Sequence, residues 1–314
     1  MRIFSNPNYD FIRWRWHALI ASLGLMAVGL YVAVFLQGLP LGIEFTGGTV
    51  VVMDFPQRVD EGQVRAAIDP IAKDAIVQRV GTGNQIMIRL RQAEGTQVGD
   101  SLEADALRVE AAVKNAGFGV PTIASKDIVG PVIGADLQRK GIWATITALG
   151  GILLYIGVRF RFNFAVGAVI AAVHDILITL SMLAFFHFDL TLNVIAAVLT
   201  ITGYSVNDTI VVFDRVRENQ RLMRREPLDS IVNKSVNQTL GRTVITAGLT
   251  FLAVFALYLF GGDVLRGFAF TMLVGVVVGT YSTIFIAASI AIILSRRTTS
   301  GPATAQPQAK LRRA

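Results

Sequence analysis

Six long apolar stretches dominate this chain: His17–Leu36, Ile142–Val158, Phe164–Phe186, Leu190–Phe213, Val244–Phe260 and Phe268–Leu294. A helix needs about 20 predominantly apolar residues to cross the hydrocarbon core of a bilayer. In hydrocarbon every backbone N–H and C=O must be satisfied internally, so stretches of this length are expected to be spanning helices. Composition agrees, with 53% hydrophobic and 16% charged residues and a mean hydropathy of +0.56, against roughly 25% charged in ordinary soluble domains. These values exclude a soluble globular enzyme, a disordered protein and a small disulfide scaffold, and the absence of cysteine removes thiol chemistry. Arg2, Arg13 and Arg15 precede the first stretch as they would in a signal peptide. Its apolar run exceeds the roughly 7–15 residues of such a segment and no A-x-A-like site follows, so it reads as an uncleaved first helix.

Charge sets the expected orientation. Of the 29 lysines and arginines, 17 fall before the first span, in the turn Arg159–Asn163, in the loop Asp214–Thr243 or after the last span. The opposite turns, His187–Asp189 and Gly261–Leu265, hold none. Both termini, residues 1–16 and 295–314, are therefore expected in the cytoplasm and residues 37–141 outside it. The net charge of +7 then reflects this asymmetry, and a nucleic-acid partner loses its support. Membrane lipid is the expected surroundings.

The predicted plan is one helix (17–36), an extracytoplasmic domain (37–141) and a five-helix bundle (142–294). Within the domain, Thr49–Phe55, Ala75–Val80, Gln85–Leu90 and Val120–Val129 read as strands, and Glu61–Lys73 and Ser101–Asn115 as helices. Strand–helix–strand–strand–helix–strand is the ferredoxin-like α+β order. Pro227 is expected to split Asp214–Thr243 into two short basic helices, with a solvated face favoured over contact with lipid or a cytosolic partner. The Ala-, Gln-, Pro- and Thr-rich tail Thr298–Ala314 is expected to be disordered.

Ionisable residues inside spans are rare and mark functional candidates. His174 and Asp175 lie in the third span. Asn193, Thr200, Tyr204, Asn207 and Asp208 recur at helical spacing in the fourth and predict one polar stripe. With the helix taken to end at Phe213, Asp208 sits roughly 7–8 Å inside it. Arg242 opens the fifth span at the same side, with Thr246 one turn deeper, so the carboxylate and guanidinium are expected at similar depth. Neighbours on a helix point about 100° apart, so His174 and Asp175 are not expected to serve one site in the same way. A static hydrogen-bonding role for either aspartate is the competing reading, and Arg242 alone reads as a positive-inside anchor.

Glu44, Gly47 and Gly48 lie in IEFTGGTV, where the paired glycines predict a tight turn before the first strand. Gly275 and Gly279 have the spacing for close helix contact. The sequence offers no metal-ligand cluster, phosphate-binding loop or dinucleotide fingerprint. The settings around Asp175 and Asp208 are not those of an intramembrane aspartyl protease. No cofactor and no metal is expected, which leaves an ion gradient or a partner as the energy source.

Five segments carry a resemblance: GIEFTGGT (Gly42–Thr49), AAVHDILIT (Ala171–Thr179), GYSVNDTIVVFDRVREN (Gly203–Asn219), TLGRTVITAGLT (Thr239–Thr250) and LRGFAFTMLVGVVVGTYSTIFIA (Leu265–Ala287). In this order they resemble the SecF side of the SecD/SecF protein-export family, of the resistance–nodulation–division permease type. The one departure is Glu44, where the family usually has Asp. The resemblance implies a 1+5 membrane half that pairs with SecD and associates with the SecYEG channel, SecA and the YidC/YajC group. It implies use of the proton-motive force at the bacterial inner membrane to promote export of secretory polypeptides after SecA-driven insertion. Residue by residue it places the proton-carrying carboxylate on Asp208, assisted by Arg242 and Thr246. Asn207, Tyr204, Asp175 and His174 are supporting polar candidates. The competing readings are a passive scaffold of the export channel and half of a solute-efflux permease.

Overall fold

The computed structural model describes residues 7–36, 41–72, 75–80, 83–90 and 100–299. Its membrane part holds six helical runs long and apolar enough to cross a bilayer. The first is α1 (Arg15–Tyr31), continued by a π-helical turn to Leu36. It leads to a single helical turn, α2 (Ile43–Thr46), and then to the small domain. After the domain come α5 (Pro131–Arg159), α6 (Phe162–Phe185), α7 (Leu192–Leu222) and α8 (Leu228–Phe260). The last run is α9 (Gly262–Ser282), a π-helical turn Thr283–Ala287, and α10 (Ala288–Thr299). Side chains of α6, α7 and α9–α10 fill the centre, whereas α1, α5 and α8 keep most of their apolar surface outward, as lipid-facing helices do.

The small domain is built as β1 (Gly48–Asp54), α3 (Glu61–Ile68), β2 (Ile76–Val80), β3 (Gln85–Leu90), α4 (Asp100–Asn115) and β4 (Thr122–Val129). Its strands are all antiparallel in the order β2-β3-β1-β4, the ferredoxin-like sheet. Alternation drives it. Val51, Met53, Ile86 and Ile88 point to one face and close on Val64, Ile68, Val109 and Val113 of the two helices. Asp60 caps α3 by accepting from the Gly62 N–H at 2.9 Å. That helix stops at Ile68 rather than Lys73, because Pro70 has no N–H to continue the helical hydrogen-bond ladder.

Several element boundaries differ from expectation for physical reasons. Helix α5 starts at Pro131, not Ile142, because proline at the first helical position is pre-set for a helix and the polar turns after it lift the helix out of the apolar zone. The segment 214–243 is not a pair of separate short helices. It is the far end of α7 and the near end of α8, joined over Met223–Pro227 with Pro227 as the N-cap of α8. Hydropathy finds where a helix leaves the apolar layer, not where it ends. The single helix expected over 268–294 is interrupted by the π turn at Thr283, and α10 runs on to Thr299, beyond the expected start of the tail at 295. The rest of the tail lies outside the described residues.

Opposite the domain, the chain start is bound to α8. The Tyr9 N–H donates to Asn237 Oδ1 at 2.8 Å and the Phe11 N–H to Asn233 Oδ1 at 3.0 Å. Arg15 and Arg296 share Asp229, at 2.7 and 2.6 Å. The start of the chain, the α7–α8 turn and the end of α10 therefore lie on one side.

Candidate functional site

Asp208 sits near the middle of α7, not close to its end, since the helix runs nine residues past Phe213. It is 8% exposed and faces α8. One carboxylate oxygen accepts from Thr243 Oγ1 at 2.8 Å, and the other is buried without a hydrogen-bond partner. That bond sets residue 208 of α7 level with residue 243 of α8, which brings Arg242 close enough for its charge to act on the carboxylate. The two make no ion pair. Arg242 and Thr246 are exposed on the outer side of α8, and the Thr246 hydroxyl donates back to Arg242 O and Thr243 O of its own helix. The structure thus brings Thr243 to Asp208, a residue that the sequence argument did not single out. Only the rotation of α8 distinguishes it from its neighbours.

The single polar stripe expected along α7 divides into separate faces. Asn193, Thr200 and Asn207 lie exposed in line with Ala196 and Gly203. Asp208 points inward, and Tyr204 packs half-buried beside Ala197, Ile201 and Met272. Amide side chains cannot face lipid cheaply. The exposed line, smoothed by Ala196 and Gly203, has the form of a helix-packing surface.

His174 and Asp175 belong to one network, contrary to the expectation from their spacing. His174 Nδ1 lies 3.0 Å from Asp175 Oδ1, and its Nε2 lies 3.1 Å from Ser22 Oγ on α1. Asp175 Oδ2 accepts from Ser205 Oγ of α7 at 2.5 Å and from Ser282 Oγ of α9 at 2.8 Å. Ser22 donates to Tyr281 Oη, and Tyr281 donates to Ala18 O. With the Ser22 proton spent on Tyr281, Nε2 is the donor to Ser22. Beside this network Thr209 and Thr283 join hydroxyls at 2.9 Å, where the π turn interrupts the last span.

Glu44, Gly47 and Gly48 lie at the seam between domain and bundle. Gly47 and Gly48 have φ of 69° and 128°, open to glycine and strained for other residues. A Cβ on Gly134 of α5 would come within 3.0 Å of the Gly47 amide nitrogen, so the turn packs directly on the root of α5. The Gly42 N–H donates to Leu190 O in the α6–α7 turn at 2.9 Å. Arg89 of β3, 4% exposed, donates to Leu41 O and pairs with Asp189 of the same α6–α7 turn. Burial pushes the carboxyls of Glu44 and Asp189 up from their ordinary values. For Glu44 its own backbone hydrogen bond opposes the shift, the charges of Asp189 and Asp127 add to it, and Arg89 opposes it. For Asp189 only Arg89 opposes it.

Comparison with known proteins follows the same segments. Residues 108–297 match the family described as protein export membrane protein SecD/SecF, C-terminal, and residues 32–55 match the SecD/SecF GG motif. The chain belongs to the SecD/SecF family. Protein translocase subunit SecF of Escherichia coli O157:H7 is 40% identical over 92% of this chain and 88% of the relative. The SecF of Koribacter versatilis is 36% identical over 93% of each. Among solved structures, SecDF of Thermus thermophilus, described as a translocon-associated membrane protein, superposes with a TM-score of 0.82 at 34% identity. A super-membrane-facing form of SecDF superposes at 0.67, also at 34% identity. The chain covers 39% of the first SecDF chain and 40% of the second. The Gly47–Gly48 turn lies in the segment that matches the GG motif, and Asp208, Thr243, His174 and Asp175 lie in the segment that matches the SecD/SecF C-terminal region.

Proposed function

We propose that this chain is the SecF half of a two-part translocase unit in a bacterial inner membrane, where it uses the proton-motive force to draw secretory polypeptides outward. The observation that carries the reading is Asp208: a buried carboxylate in a spanning helix, held through one oxygen by Thr243, with its second oxygen unpartnered and the charge of Arg242 nearby. A carboxylate in that position exchanges a large desolvation cost for neutrality when it takes a proton. Protonation removes its attraction to Arg242 and makes the unpartnered oxygen a donor. The α7–α8 contact then repacks, and the α6–α7 turn carries the change to the domain through Leu190, Asp189 and Arg89. One charge moved through the full potential supplies about 2.3 kcal/mol per 100 mV, enough to bias a two-state switch of a few kcal/mol. The gradient takes the place of a bound cofactor.

The exposed Asn193–Thr200–Asn207 line on α7 supports a membrane partner, and the fused SecDF relative makes a SecD subunit the natural occupant. The concentration of basic residues beside the termini supports a cytoplasmic position for them, with the ferredoxin-like domain outside and in reach of emerging polypeptide. SecYEG and SecA, with the YidC/YajC group, complete the proposed assembly. The test is export of a reporter secretory protein in cells lacking their own copy, at matched membrane levels and with the partner still co-purifying. Asp208→Asn is expected to abolish the part of export that a protonophore removes in wild type. Full protonophore-sensitive export in Asp208→Asn would instead favour a passive scaffold.

A further inference from the structure

On the side that carries the chain start, the α5–α6 turn and the far end of α7 enclose a cavity of about 560 Å³. Arg159 and Arg161 line it from the turn, Arg217 and Arg221 from α7, and Arg224 from the α7–α8 connection. Arg217 and Arg221 stand at i and i+4 and so stack on one helix face, with Arg224 just beyond the helix end. Arg159 pairs with Asp214 at 3.0 Å. Arg161, Arg217, Arg221 and Arg224 have no carboxylate partner among the described residues. Neighbouring arginines on the same side are matched: Arg15 and Arg296 by Asp229, and Arg215 by Glu218 and Gln238. Glu226, on the rim of an adjoining cavity, accepts from Ser230 instead. Like charges stacked on a helix repel one another, so an unmatched set around one cavity calls for an anion from outside the chain.

Two further features define that anion. The start of α6, with Arg161 at its N-cap and no side-chain cap, adds the positive end of a 24-residue helix to the same wall. Phe160, Phe164 and Phe213 form a rigid inner wall, with ring centroids 5.9 and 5.1 Å apart in edge-to-face contact. Val158 and Phe162 beside the turn are 82% and 79% exposed and Leu222 is 73% exposed, so apolar surface flanks the charged mouth. The turn joins two spanning helices and thus lies at headgroup level. A soluble phosphate would fill the charge and leave that apolar rim bare, whereas a lipid covers both.

We propose that this cavity binds the phosphate headgroup of an anionic glycerophospholipid from the adjacent leaflet, with its acyl chains running along Val158 and Phe162. The adjoining cavity of about 360 Å³ shares Arg161 and Arg224, so the site has room for a headgroup larger than one phosphate. A bound lipid would tie the α5–α6 turn to the extension of the helix that carries Asp208.

The test is native mass spectrometry of the full chain, purified in detergent and offered phosphatidylglycerol or phosphatidylcholine of the same acyl composition. Wild type is expected to retain phosphatidylglycerol over phosphatidylcholine by about tenfold or more. Arg217→Gln/Arg221→Gln/Arg224→Gln should lose that preference, while a control of equal charge change, Arg13→Gln/Arg225→Gln/Lys234→Gln, should keep it. Melting without added lipid reports folding, and Arg221→Gln alone is read in the same way should the triple variant fail to fold. Equal losses in the control and the cavity variant, or no preference in wild type, would overturn the proposal in favour of a diffuse basic face. Displacement of phosphatidylglycerol by millimolar inorganic phosphate would overturn the lipid assignment and leave a soluble-phosphate site.

Discussion

Asp208 and Thr243 form a contact whose two partners are unequal in consequence. Removing the hydroxyl in Thr243→Val leaves both oxygens of a buried carboxylate without a donor, a loss of about 1–3 kcal/mol. Thermal denaturation in detergent should show that loss, and export of a reporter protein should fall with it. Thr246→Val removes a hydroxyl that bonds only to carbonyls of its own helix, so its stability should stay within about 0.5 kcal/mol of wild type. Equal effects of the two substitutions would mean that the Asp208–Thr243 bond contributes nothing. At this scale Asp208 was legible in the sequence because an aspartate among apolar residues announces itself. Thr243 was not, because helical rotation decides which of Arg242, Thr243 and Thr246 faces α7. The His174–Asp175 network escaped for a related reason: its partners Ser22, Ser205 and Ser282 come from three helices and are unremarkable in each.

Between elements, close approach of backbones decides the geometry. A Cβ on Gly275 would lie 2.2 Å from Ile201 Cγ1, and one on Gly279 would lie 2.9 Å from Ser205 Cβ. The spacing read from the sequence therefore sets how near α9 comes to α7, and Gly279 is what allows Ser205 to reach Asp175. Gly279→Val is expected to push Ser205 off the carboxylate and destabilise the bundle by about 1–3 kcal/mol, measured by thermal melting. The seam between domain and bundle gives a pH prediction. Burial raises the folded-state carboxyl of Glu44 above its ordinary 4.5, so the folded chain holds more protons than the unfolded one between those two values. Stability therefore falls as pH rises through that window. Glu44→Gln, neutral at every pH, should melt higher than wild type at pH 8, and the gap should shrink toward pH 5. A gap that widened on acidification would contradict burial as the dominant influence on Glu44. The seam itself was invisible in the sequence, since Arg89 and Asp189 are a hundred residues apart and neither position looks unusual alone.

For the whole molecule, the 1+5 plan and the ferredoxin-like order could be read directly, because apolar length and strand alternation are local signals that tertiary packing leaves intact. Where spanning helices continue past the bilayer could not, because α5, α7 and α8 carry polar turns that hydropathy reads as loop. The chain superposes better on one SecDF structure than on the super-membrane-facing form, at TM-scores of 0.82 and 0.67. Its exposed α7 line predicts where a second subunit docks. Gly203→Trp adds bulk where none of the described residues lies within 4 Å of an added Cβ, so it should leave melting unchanged and abolish co-purification with a SecD subunit. Retained association would move the interface elsewhere.

In the proposed mechanism Asp208 carries the proton whose movement drives translocation. Proton entry into proteoliposomes holding the SecD–SecF complex, followed with an internal pH dye under an imposed potential, tests it most directly. Wild type should acidify the lumen, and Asp208→Asn should fall to the leak of empty vesicles while the complex stays assembled. Acidification by Asp208→Asn at the wild-type rate would contradict the account.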